Sequence, residues 1–312
     1  MLKNKRIFIT GGAGFLGKNI IKRYYGDNEI TIYSRDEAKH YYVKKQFPKI
    51  NCIIGDVVDY ENLKRSSINH EIGIFAASLK QIEAVDQNCE IASRTIINGA
   101  INSRKVAEEN GIEAACFISS DKSRAATTLY GSMKFVAGES FIVNAHDTYL
   151  PKLSTAIYGN VLNSTGSVIP LIWNSIKNNY ELKLYSEDMT RFMLSIDEAI
   201  DVIEVALKVS GYNIIPTTKS FKIKDLFEIY SEMFGLKYVT TIPRISEKIH
   251  EIMISSEEVP RVKKMGNYYF MHYKNIFNSV NFINNEYSSR DYLLSKEELY
   301  DKLNKYVFFK EQ

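Results

Sequence analysis

Residues 7–17 read IFITGGAGFLG, an apolar run that leads into a cluster of glycines before a second apolar stretch begins. Gly11, Gly14 and Gly17 have the spacing that lets the backbone turn tightly between a strand and a helix. The amide groups at the start of such a helix, together with its dipole, favour a bound pyrophosphate. Because an apolar strand precedes the glycines and a helix follows them, the stretch predicts a dinucleotide site rather than an ordinary turn.

The rest of the first half repeats one unit, a short β-branched or aromatic run followed by a turn and an amphipathic stretch. This alternation predicts an α/β fold in which a Rossmann-type doubly wound parallel sheet is joined by crossover helices. The predicted strands are Arg6–Thr10, Glu29–Ser34, 51–55, 73–77 and 115–120, and the predicted helices include 15–25 and 93–110.

After about residue 151 the repeat loosens into strand, loop and helix pieces, with helices predicted at 197–209 and 224–234. We interpret this half as a smaller α/β substrate lobe. The predicted division is a dinucleotide-binding domain over 1–155 and a C-terminal lobe over 156–312, with the chain returning to the first domain near 190–215.

Composition excludes several classes of protein. The net charge of +3 over 312 residues is too small for the electrostatic footprint of a nucleic-acid binder. The sequence has neither a signal peptide nor an apolar run long enough for a membrane span, so a cytoplasmic protein is expected. Cys52, Cys89 and Cys116 lack CxxC spacing and histidines at zinc-ligand distance, which predicts free thiols and no metal site.

The end of the second predicted strand bears on the choice of dinucleotide. An acidic residue there usually binds the ribose 2′-hydroxyl of NAD, whereas this chain has Ser34, Arg35 and Asp36 in that order. Arg35 can pair with a 2′-phosphate, so the order favours NADP, while Asp36 keeps NAD open and a solvated charged turn is the alternative. Asp56, at the end of the third strand, is expected to meet the adenine.

Residues 117–134 read FISSDKSRAATTLYGSMK and carry the predicted chemistry. Tyr130 and Lys134 are four residues apart at a predicted helix start and therefore share one face. A lysine beside a tyrosine lowers the pKa of the phenol and creates a base for a hydroxyl proton. Asp121 and Lys122 follow Ser120 and offer the acid and the base of a dehydration, with a surface ion pair or helix cap as the alternative.

These residues resemble the extended short-chain dehydrogenases and, within them, the inverting UDP-N-acetylglucosamine 4,6-dehydratases. That family carries Ser/Thr-Asp-Lys followed nine residues after the Asp by the active Tyr, a spacing reproduced by residues 120–122 and 130. Further agreement lies in AASLKQ (76–81), YGNV (158–161), GSVIP (166–170), MTRF (189–192), RISEKIHEIM (244–253) and SSRDYLLSKEEL. The chain departs from the family in its glycine loop, usually GGTGSFG, in SRAATTLYG where the family has AANPxNLYG, and within residues 88–99.

The resemblance implies site residues for the nucleotide sugar and the dinucleotide. Lys80 is expected near the sugar, Asn160 and Ser167 near the nucleotide, and Arg244 on the diphosphate with Glu247 at the UDP end, unless Arg244 and Glu247 form a structural ion pair. The predicted substrate-binding set is Lys80, Asn160, Ser167, Val168, Arg191, Arg244 and Glu247. The predicted cofactor-binding set is Thr10, Gly11, Gly14, Phe15, Leu16, Gly17, Ser34, Arg35, Asp36, Asp56, Val57, Ala76, Ala77, Tyr130 and Lys134.

The implied reaction uses Tyr130, assisted by Lys134 and Ser120, to remove the proton of the sugar 4-hydroxyl. The C4 hydride passes to the dinucleotide, Lys122 takes the C5 proton and Asp121 protonates the departing 6-hydroxyl, which leaves an enone. Return of the hydride at C6 and of a proton at C5 gives a UDP-4-keto-6-deoxy sugar, inverted if the proton comes from the opposite face. The alternatives are a related enzyme acting on a 4-keto or 5,6-unsaturated intermediate, a nucleotide-sugar 4-epimerase, and a non-catalytic dinucleotide sensor or scaffold. A homo-oligomer, a dimer or larger, is expected.

Overall fold

The computed structural model describes residues 2–143, 145, 151–243, 245–274 and 285–308. In chain order the strands are β1 (Arg6–Thr10), β2 (Glu29–Ser34), β3 (Asn51–Ile54), β4 (Ile72–Phe75), β5 (Ala114–Ile118), β6 (Lys152–Ala156), β7 (Asn160–Val161), β8 (Leu182–Leu184), β9 (Thr190–Leu194), β10 (Tyr212–Pro216), β11 (Ser220–Lys222), β12 (Tyr238–Thr240), β13 (Ile252–Ile254), β14 (Val262–Met265), β15 (Tyr268–His272) and β16 (Tyr287–Ser288). The helices are α1 (Phe15–Tyr24), α2 (Glu37–Gln46), α3 (Tyr60–Ser66), α4 (Ile82–Gln87), α5 (Cys89–Ser93), α6 (Gly99–Glu109), α7 (Leu129–Ile142), α8 (Val168–Asn178), α9 (Ile196–Ala206), α10 (Ile223–Phe234) and α11 (Lys296–Leu303).

A nine-stranded sheet forms the centre of the fold, in the order β14-β15-β10-β6-β5-β4-β1-β2-β3. Its strands are parallel from β10 to β3, and β15 and β14 add an antiparallel edge. The chain leaves β1 towards β2 and β3 on one side and continues from β4 on the other, so the order reverses between β1 and β4. Open parallel sheets bind their ligands at such a switch point.

Both faces of this sheet are covered by helices. Successive side chains of a strand point to opposite faces, and in β1 they are apolar on both faces, so each face needs its own cover. Ile7 and Ile9 of β1 pack in one core with residues of α1 and α9, such as Ile20 and Ile203. Phe8, between them, packs in a second core with residues of α6 and α7. The predicted doubly wound α/β fold is therefore confirmed.

The predicted elements agree with the structure within a few residues at their ends. β1, β2 and the start of α1 coincide with the predictions, whereas β5 ends at Ile118, two residues before the predicted end. The predicted helix over 93–110 is divided, since a π-helical turn, Arg94–Asn98, separates α5 from α6. Such turns are frequent at functional sites.

The second half builds small sheets, β11-β9-β7, β12-β8 and β13-β16, beside a separate core formed largely by α8, α10 and α11. It also returns β10, β14, β15 and α9 to the central sheet and its cover. The predicted boundary near residue 155 falls within β6 and stays a prediction. None of the helices in the described ranges is both long and apolar enough to cross a membrane.

Candidate active site

The glycine loop connects β1 to α1 at the switch point of the sheet. Gly11 adopts a left-handed φ of +69°, and a Cβ placed on it would lie 3.0 Å from the Ala77 nitrogen. At Gly17 a Cβ would lie 2.3 Å from the carbonyl oxygen of Gly12, so the loop and the helix start are in direct backbone contact. Gly14 caps α1 without a side-chain hydrogen bond, which leaves first-turn amides of α1 available for an anion.

The predicted contacts around this loop lie together. Thr10 accepts a hydrogen bond from the Ala77 nitrogen through its Oγ1 (3.2 Å) and so joins the ends of β1 and β4. Phe15 and Leu16 open α1 and are half-buried, as is Ala76 beside Ala77. The loop, the helix start and the end of β4 therefore lie together, with backbone donors of the kind that a pyrophosphate needs.

The charged residues after β2 have protein partners. Asp36 caps α2, accepting from the Lys39 amide (2.9 Å), and pairs with the Lys39 ammonium. Arg35 is exposed and lies 3.3 Å from a carboxylate oxygen of Asp56, and the Ser34 hydroxyl lies 2.6 Å from His40 Nε2. Arg35 and Asp56 are thus brought together, while Asp36 is already engaged as a helix cap.

Val57 takes a different position from the other predicted cofactor residues. Its side chain is buried in the core, and a Cβ on Gly99 of α6 would lie 2.8 Å from it. The side chain therefore packs under α6, so any contact with a dinucleotide is left to its backbone.

Ser120, Asp121 and Lys122 form a tight turn directly after β5. The Ser120 hydroxyl donates to Asp121 Oδ1 (2.9 Å), which also accepts from the Lys122 amide (2.8 Å) and the Lys122 ammonium (3.2 Å). Asp121 is only 1% exposed, and its Oδ2 has no hydrogen-bond partner in the described ranges. The turn therefore presents a buried carboxylate with one oxygen fully bonded and the other free for a proton.

The Lys122 ammonium lies between two carboxylates, 3.2 Å from Asp121 Oδ1 and 3.3 Å from Glu251 Oε1. Burial lowers the pKa of this amine, but the two carboxylates outweigh burial and hold the pKa above its ordinary value. Lys122 is consequently an ammonium at neutral pH. The base role predicted for Lys122 requires one proton to move from its Nζ to Asp121, across 3.2 Å.

Tyr130 and Lys134 lie on the buried face of α7, which begins after the N-cap Thr128. Burial raises the pKa of Tyr130 to about 12, against the lowering effects of Lys122 and of a hydrogen bond with Ser120. Lys134 donates to the Ile118 carbonyl (2.8 Å), and burial lowers its pKa to about 7. Lys122 is thus a cation that lowers the pKa of the Tyr130 phenol, while the same effect expected of Lys134 stays a prediction.

Glu251 belongs to a cluster of buried charges that the sequence analysis did not select. Arg191 reaches it with Nε (3.6 Å) and donates to Glu247 Oε1 (2.5 Å), and the Lys248 ammonium lies 3.8 Å from Glu251 Oε2. Arg191 and Glu247, two residues of the predicted substrate-binding set, are thus brought together. Glu251 and Lys248 lie within the quoted stretch RISEKIHEIM, whose charge density before an apolar strand was the available signal.

The predicted nucleotide residues lie in β7, which begins at Asn160, and at the start of α8, which Ser167 caps. Asn160 Oδ1 and Ser167 Oγ are buried and have no hydrogen-bond partner within the described residues, and Ser167 caps α8 without a side-chain bond. Val168 begins α8, and the Lys80 ammonium donates to the Thr165 carbonyl nearby. Two buried polar oxygens beside a helix N-terminus are ready to bind a polar ligand. The predicted Arg244 lies outside the described residues.

A second network of buried charges supports the loop between Lys122 and α7. Arg124, 1% exposed, donates to Glu258 (2.6 Å) and to Glu139 of α7 (3.0 Å), and Arg261 pairs with the same two carboxylates. This network holds the loop in which the chain departs from the family pattern. In the described ranges no group of three or more His, Cys, Asp and Glu side chains is placed to hold a metal ion.

A family profile and two enzymes of known name are similar to this chain over most of its length. Residues 7–273 match the sequence profile of a family described as polysaccharide biosynthesis protein. The chain is 33% identical over 279 residues to a UDP-N-acetylglucosamine 4,6-dehydratase (inverting) of Campylobacter jejuni, covering 86% of this chain and 83% of the relative. It is 31% identical over 285 residues to a UDP-glucose 4-epimerase of Rickettsia bellii, with the same coverage of 86% and 83%.

Solved structures with the same fold extend over most of the chain. Pen from Bacillus thuringiensis superposes with a TM-score of 0.88 at 24% identity, covering 97% of this chain and 98% of that one. A dTDP-glucose 4,6-dehydratase from Streptomyces venezuelae, solved with NAD, superposes with a TM-score of 0.69 at 17% identity, covering 78% and 86%. At these identities the likeness concerns the fold.

Proposed function

The chain belongs to the polysaccharide biosynthesis protein family, and we propose that it is a UDP-N-acetylglucosamine 4,6-dehydratase of the 5-inverting kind. The observation that carries the proposal is the assembly of buried Asp121 and Tyr130 with half-buried Ser120 and Lys122, the Lys122 ammonium lying between two carboxylates. A reaction that only oxidises a hydroxyl needs a tyrosine, but an elimination needs an additional acid and base. The relative in Campylobacter jejuni supports the same activity.

We propose NADP as the dinucleotide, with NAD as the second choice. The free amides of α1 and the close-packed loop at Gly11 fit a pyrophosphate. Arg35 is exposed at the end of β2, where it can meet a 2′-phosphate, while Asp36 is engaged in capping α2. When bound, the nicotinamide accepts a hydride from C4 of the sugar and returns it at C6. Solved relatives that hold NAD support a nicotinamide cofactor of one kind or the other.

In the proposed mechanism Tyr130 first loses its own proton to solvent, and the positive charge of Lys122 and the hydroxyl of Ser120 stabilise the phenolate against the effect of burial. The phenolate then takes the proton of the sugar 4-hydroxyl. The ketone formed at C4 acidifies the proton on C5. Lys122, having passed one proton to Asp121, takes the C5 proton, and Asp121 gives its proton to the 6-hydroxyl as it leaves. The pair thus ends with the same number of protons, one water molecule having left the sugar. Return of hydride at C6 is completed by a proton that C5 takes from solvent, on the opposite face for the inverted sugar, while Tyr130 releases the proton of the 4-hydroxyl to solvent.

The UDP portion is proposed to bind between β7 and α8. Asn160 and Ser167 offer buried oxygens without partners, and the start of α8 at Val168 offers amides for a phosphate. Lys80 is proposed to lie near the sugar, and Arg244 near the diphosphate. We further propose that the protein acts in the cytoplasm, because the cytoplasm is reducing and Cys52, Cys89 and Cys116 are free thiols. A homo-oligomer is proposed on the resemblance alone.

A UDP-sugar 4-epimerase is the second candidate, since a relative of that name is 31% identical. An epimerase would return the hydride to C4 and would leave C5 and C6 untouched. It would have no use for Asp121 and Lys122 as an acid and base pair, which is why we place it second.

Proton NMR of UDP-N-acetylglucosamine incubated with the protein and NADP+ in deuterated water separates these candidates. We expect a 4-keto-6-deoxy product that carries deuterium at C5, with ring couplings of the inverted sugar. An epimerase would instead give the 4-epimer with an intact 6-hydroxymethyl group and no deuterium at C5. Unchanged sugar in the presence of tightly bound cofactor would contradict the proposal and favour a later 4-keto or 5,6-unsaturated substrate.

The Lys122→Ala variant provides the matched test of the mechanism. We expect it to lose dehydration while binding NADPH as the wild type does, because Lys122 contacts Asp121 and Glu251 rather than the glycine loop. Full dehydration activity in this variant would remove Lys122 from the mechanism.

A further inference from the structure

Glu251 is a buried acid that the chemistry described above does not use. It is 3% exposed, and its backbone is fixed on both sides, since its amide donates to Ser289 Oγ (2.9 Å) and its carbonyl accepts from the Ser289 amide (2.8 Å). Its Oε2 makes no hydrogen bond within the described residues. A buried carboxylate is destabilising unless cations surround it, and Lys122, Arg191 and Lys248 do so here. What Glu251 does beside Lys122 still requires an explanation.

The geometry around the Lys122 nitrogen supplies that explanation. An ammonium has three N–H donors, and two of them face carboxylates, Asp121 at 3.2 Å and Glu251 at 3.3 Å. One direction at the nitrogen remains. When the proton passes to Asp121 the lone pair first faces Asp121, and rotation about the Cε–Nζ bond brings it into this remaining direction while N–H groups turn to the two acceptors. Two fixed acceptors therefore determine where the third position points.

We propose that Glu251 is a positioning residue for the dehydration, which, together with Asp121, directs the third position of the Lys122 nitrogen at the sugar. The inference rests on the proposed function for its substrate and concerns a residue 129 positions from Lys122 in the chain. Glu251 touches Lys122 and not the reacting atoms.

The charges that face this pair come from several elements. Asp121, Arg191 and Tyr130 act on Lys122 besides Glu251, and Arg191 and Lys248 act on Glu251 from β9 and from the segment before β13. Among them Glu251 and Asp121 are the carboxylates that keep Lys122 protonated. Removing the charge of Glu251 therefore makes the Lys122 proton easier to lose, whatever its effect on folding.

The Glu251→Gln variant keeps the size and an acceptor oxygen but removes the charge. We expect kcat for dehydration to fall about 10- to 100-fold with KM changed less than about threefold, because the reacting nitrogen is misplaced while the binding residues stay. We also expect the alkaline limb of the kcat profile to move to lower pH by about one pH unit or more, the effect of an opposite charge at this distance.

Glu258→Gln is the matched control, since Glu258 is also a buried carboxylate in an ion-pair network but pairs with Arg124 and Arg261 instead of Lys122. This variant is expected to be less stable than the wild type without moving the alkaline limb. Equal movement of the limb in both variants, or an unchanged kcat in Glu251→Gln, would overturn the inference.

A measurement without substrate separates this inference from the proposed function. The ¹³Cε signal of Lys122, assigned by its loss in Lys122→Arg, should begin to titrate at lower pH in Glu251→Gln than in the wild type. If the Lys122 titration moves in this way but the wild type does not dehydrate the sugar, the proposed function is refuted. The effect of Glu251 on the Lys122 proton would still stand. Dehydration by the wild type with an unmoved Lys122 titration would overturn the inference alone.

If Glu251→Gln fails to fold, Glu251→Asp carries the test. It keeps the charge but shortens the side chain by one methylene, about 1.5 Å of reach. The expected result is a kcat at least about tenfold lower with the alkaline limb unmoved. The shorter side chain no longer positions the Lys122 nitrogen, but its carboxylate keeps the negative charge. A wild-type kcat in Glu251→Asp would overturn the inference.

Discussion

Replacing Lys134 by methionine should stabilise the folded protein at neutral pH. The side chain is 4% exposed, its ammonium donates to the Ile118 carbonyl at 2.8 Å, and it lies 4.7 Å from the centre of the Phe117 ring. In the described ranges no carboxylate forms an ion pair with it. A buried ammonium without an anion is destabilising, and burial lowers its pKa from 10.5 to about 7.

The size and sign of the effect follow from this pKa. A fall from 10.5 to about 7 corresponds to at most about 5 kcal/mol of free energy of unfolding. Between these values the unfolded chain binds a proton that the folded chain lacks, so stability rises with pH through this window, while below it the full penalty remains. Methionine has a similar volume and no charge, but it leaves the Ile118 carbonyl without its donor, which costs about 1–3 kcal/mol. The expected net gain at pH 7 is about 2–3 kcal/mol.

Urea unfolding at pH 7 and pH 9 measures this difference. The wild type should gain about 2–3 kcal/mol between the two pH values relative to Lys134→Met, whose curve lacks this contribution. Lys45→Met, at an exposed lysine of α2, is the control and should stay within about 0.5 kcal/mol of the wild type at both. A Lys134→Met variant that is less stable than the wild type at pH 7, or that keeps the wild-type pH slope, would refute the reasoning.

Three further changes test the loop, the cofactor choice and the second charge network. Gly17→Ala places a Cβ 2.3 Å from the Gly12 carbonyl oxygen, so it should destabilise the protein by about 1–3 kcal/mol and weaken NADPH binding. Urea unfolding and fluorescence titration measure these effects, and unchanged values would contradict the close contact. Arg35→Ala should weaken NADP binding by about tenfold or more and NAD binding much less, as measured by calorimetry, whereas equal losses would argue against a 2′-phosphate at Arg35. Arg124→Met leaves Glu139 and Glu258 with Arg261 as their shared cation and should lower the free energy of unfolding by about 3–5 kcal/mol; a loss below about 1 kcal/mol would show that the network relaxes.

The sequence was sufficient for features that depend on local patterns. β1 and β2 could be bounded to the residue, because buried strands between turns read as continuous β-branched and aromatic runs. The glycine loop could be located because its spacing is tied to one backbone path. The π-helical turn at Arg94–Asn98 could not be foreseen, since no residue within it interrupts the helical pattern and Gly99 after it continues as a helix.

The charge states of the site depended on contacts that no local pattern contains. Glu251 reaches Lys122 only because the segment before β13 packs against the turn after β5, and this packing follows from the whole fold. The assignment of Lys134 as the cation that lowers the phenol pKa was reasonable from helical spacing. In the structure the Lys134 ammonium contacts the Ile118 carbonyl and the Phe117 ring, tertiary neighbours that helical spacing does not reveal, and its predicted role stays a prediction.

Lys122 and Lys134, twelve residues apart, have different charge states at neutral pH because the fold gives them different surroundings. Burial lowers the pKa of both Lys122 and Lys134, yet only Lys122 has carboxylates beside it, and its pKa ends above the ordinary value while that of Lys134 ends near 7. Lys122 thus holds a proton that it can exchange with Asp121, whereas Lys134 can change its charge near neutral pH. An anionic dinucleotide would favour the charged form of Lys134, so its binding should take up protons in proportion to the neutral fraction of Lys134. When two environments shift the pKa values of two like groups in opposite directions, the difference distinguishes the group that transfers protons from the group that responds to the charge of a ligand.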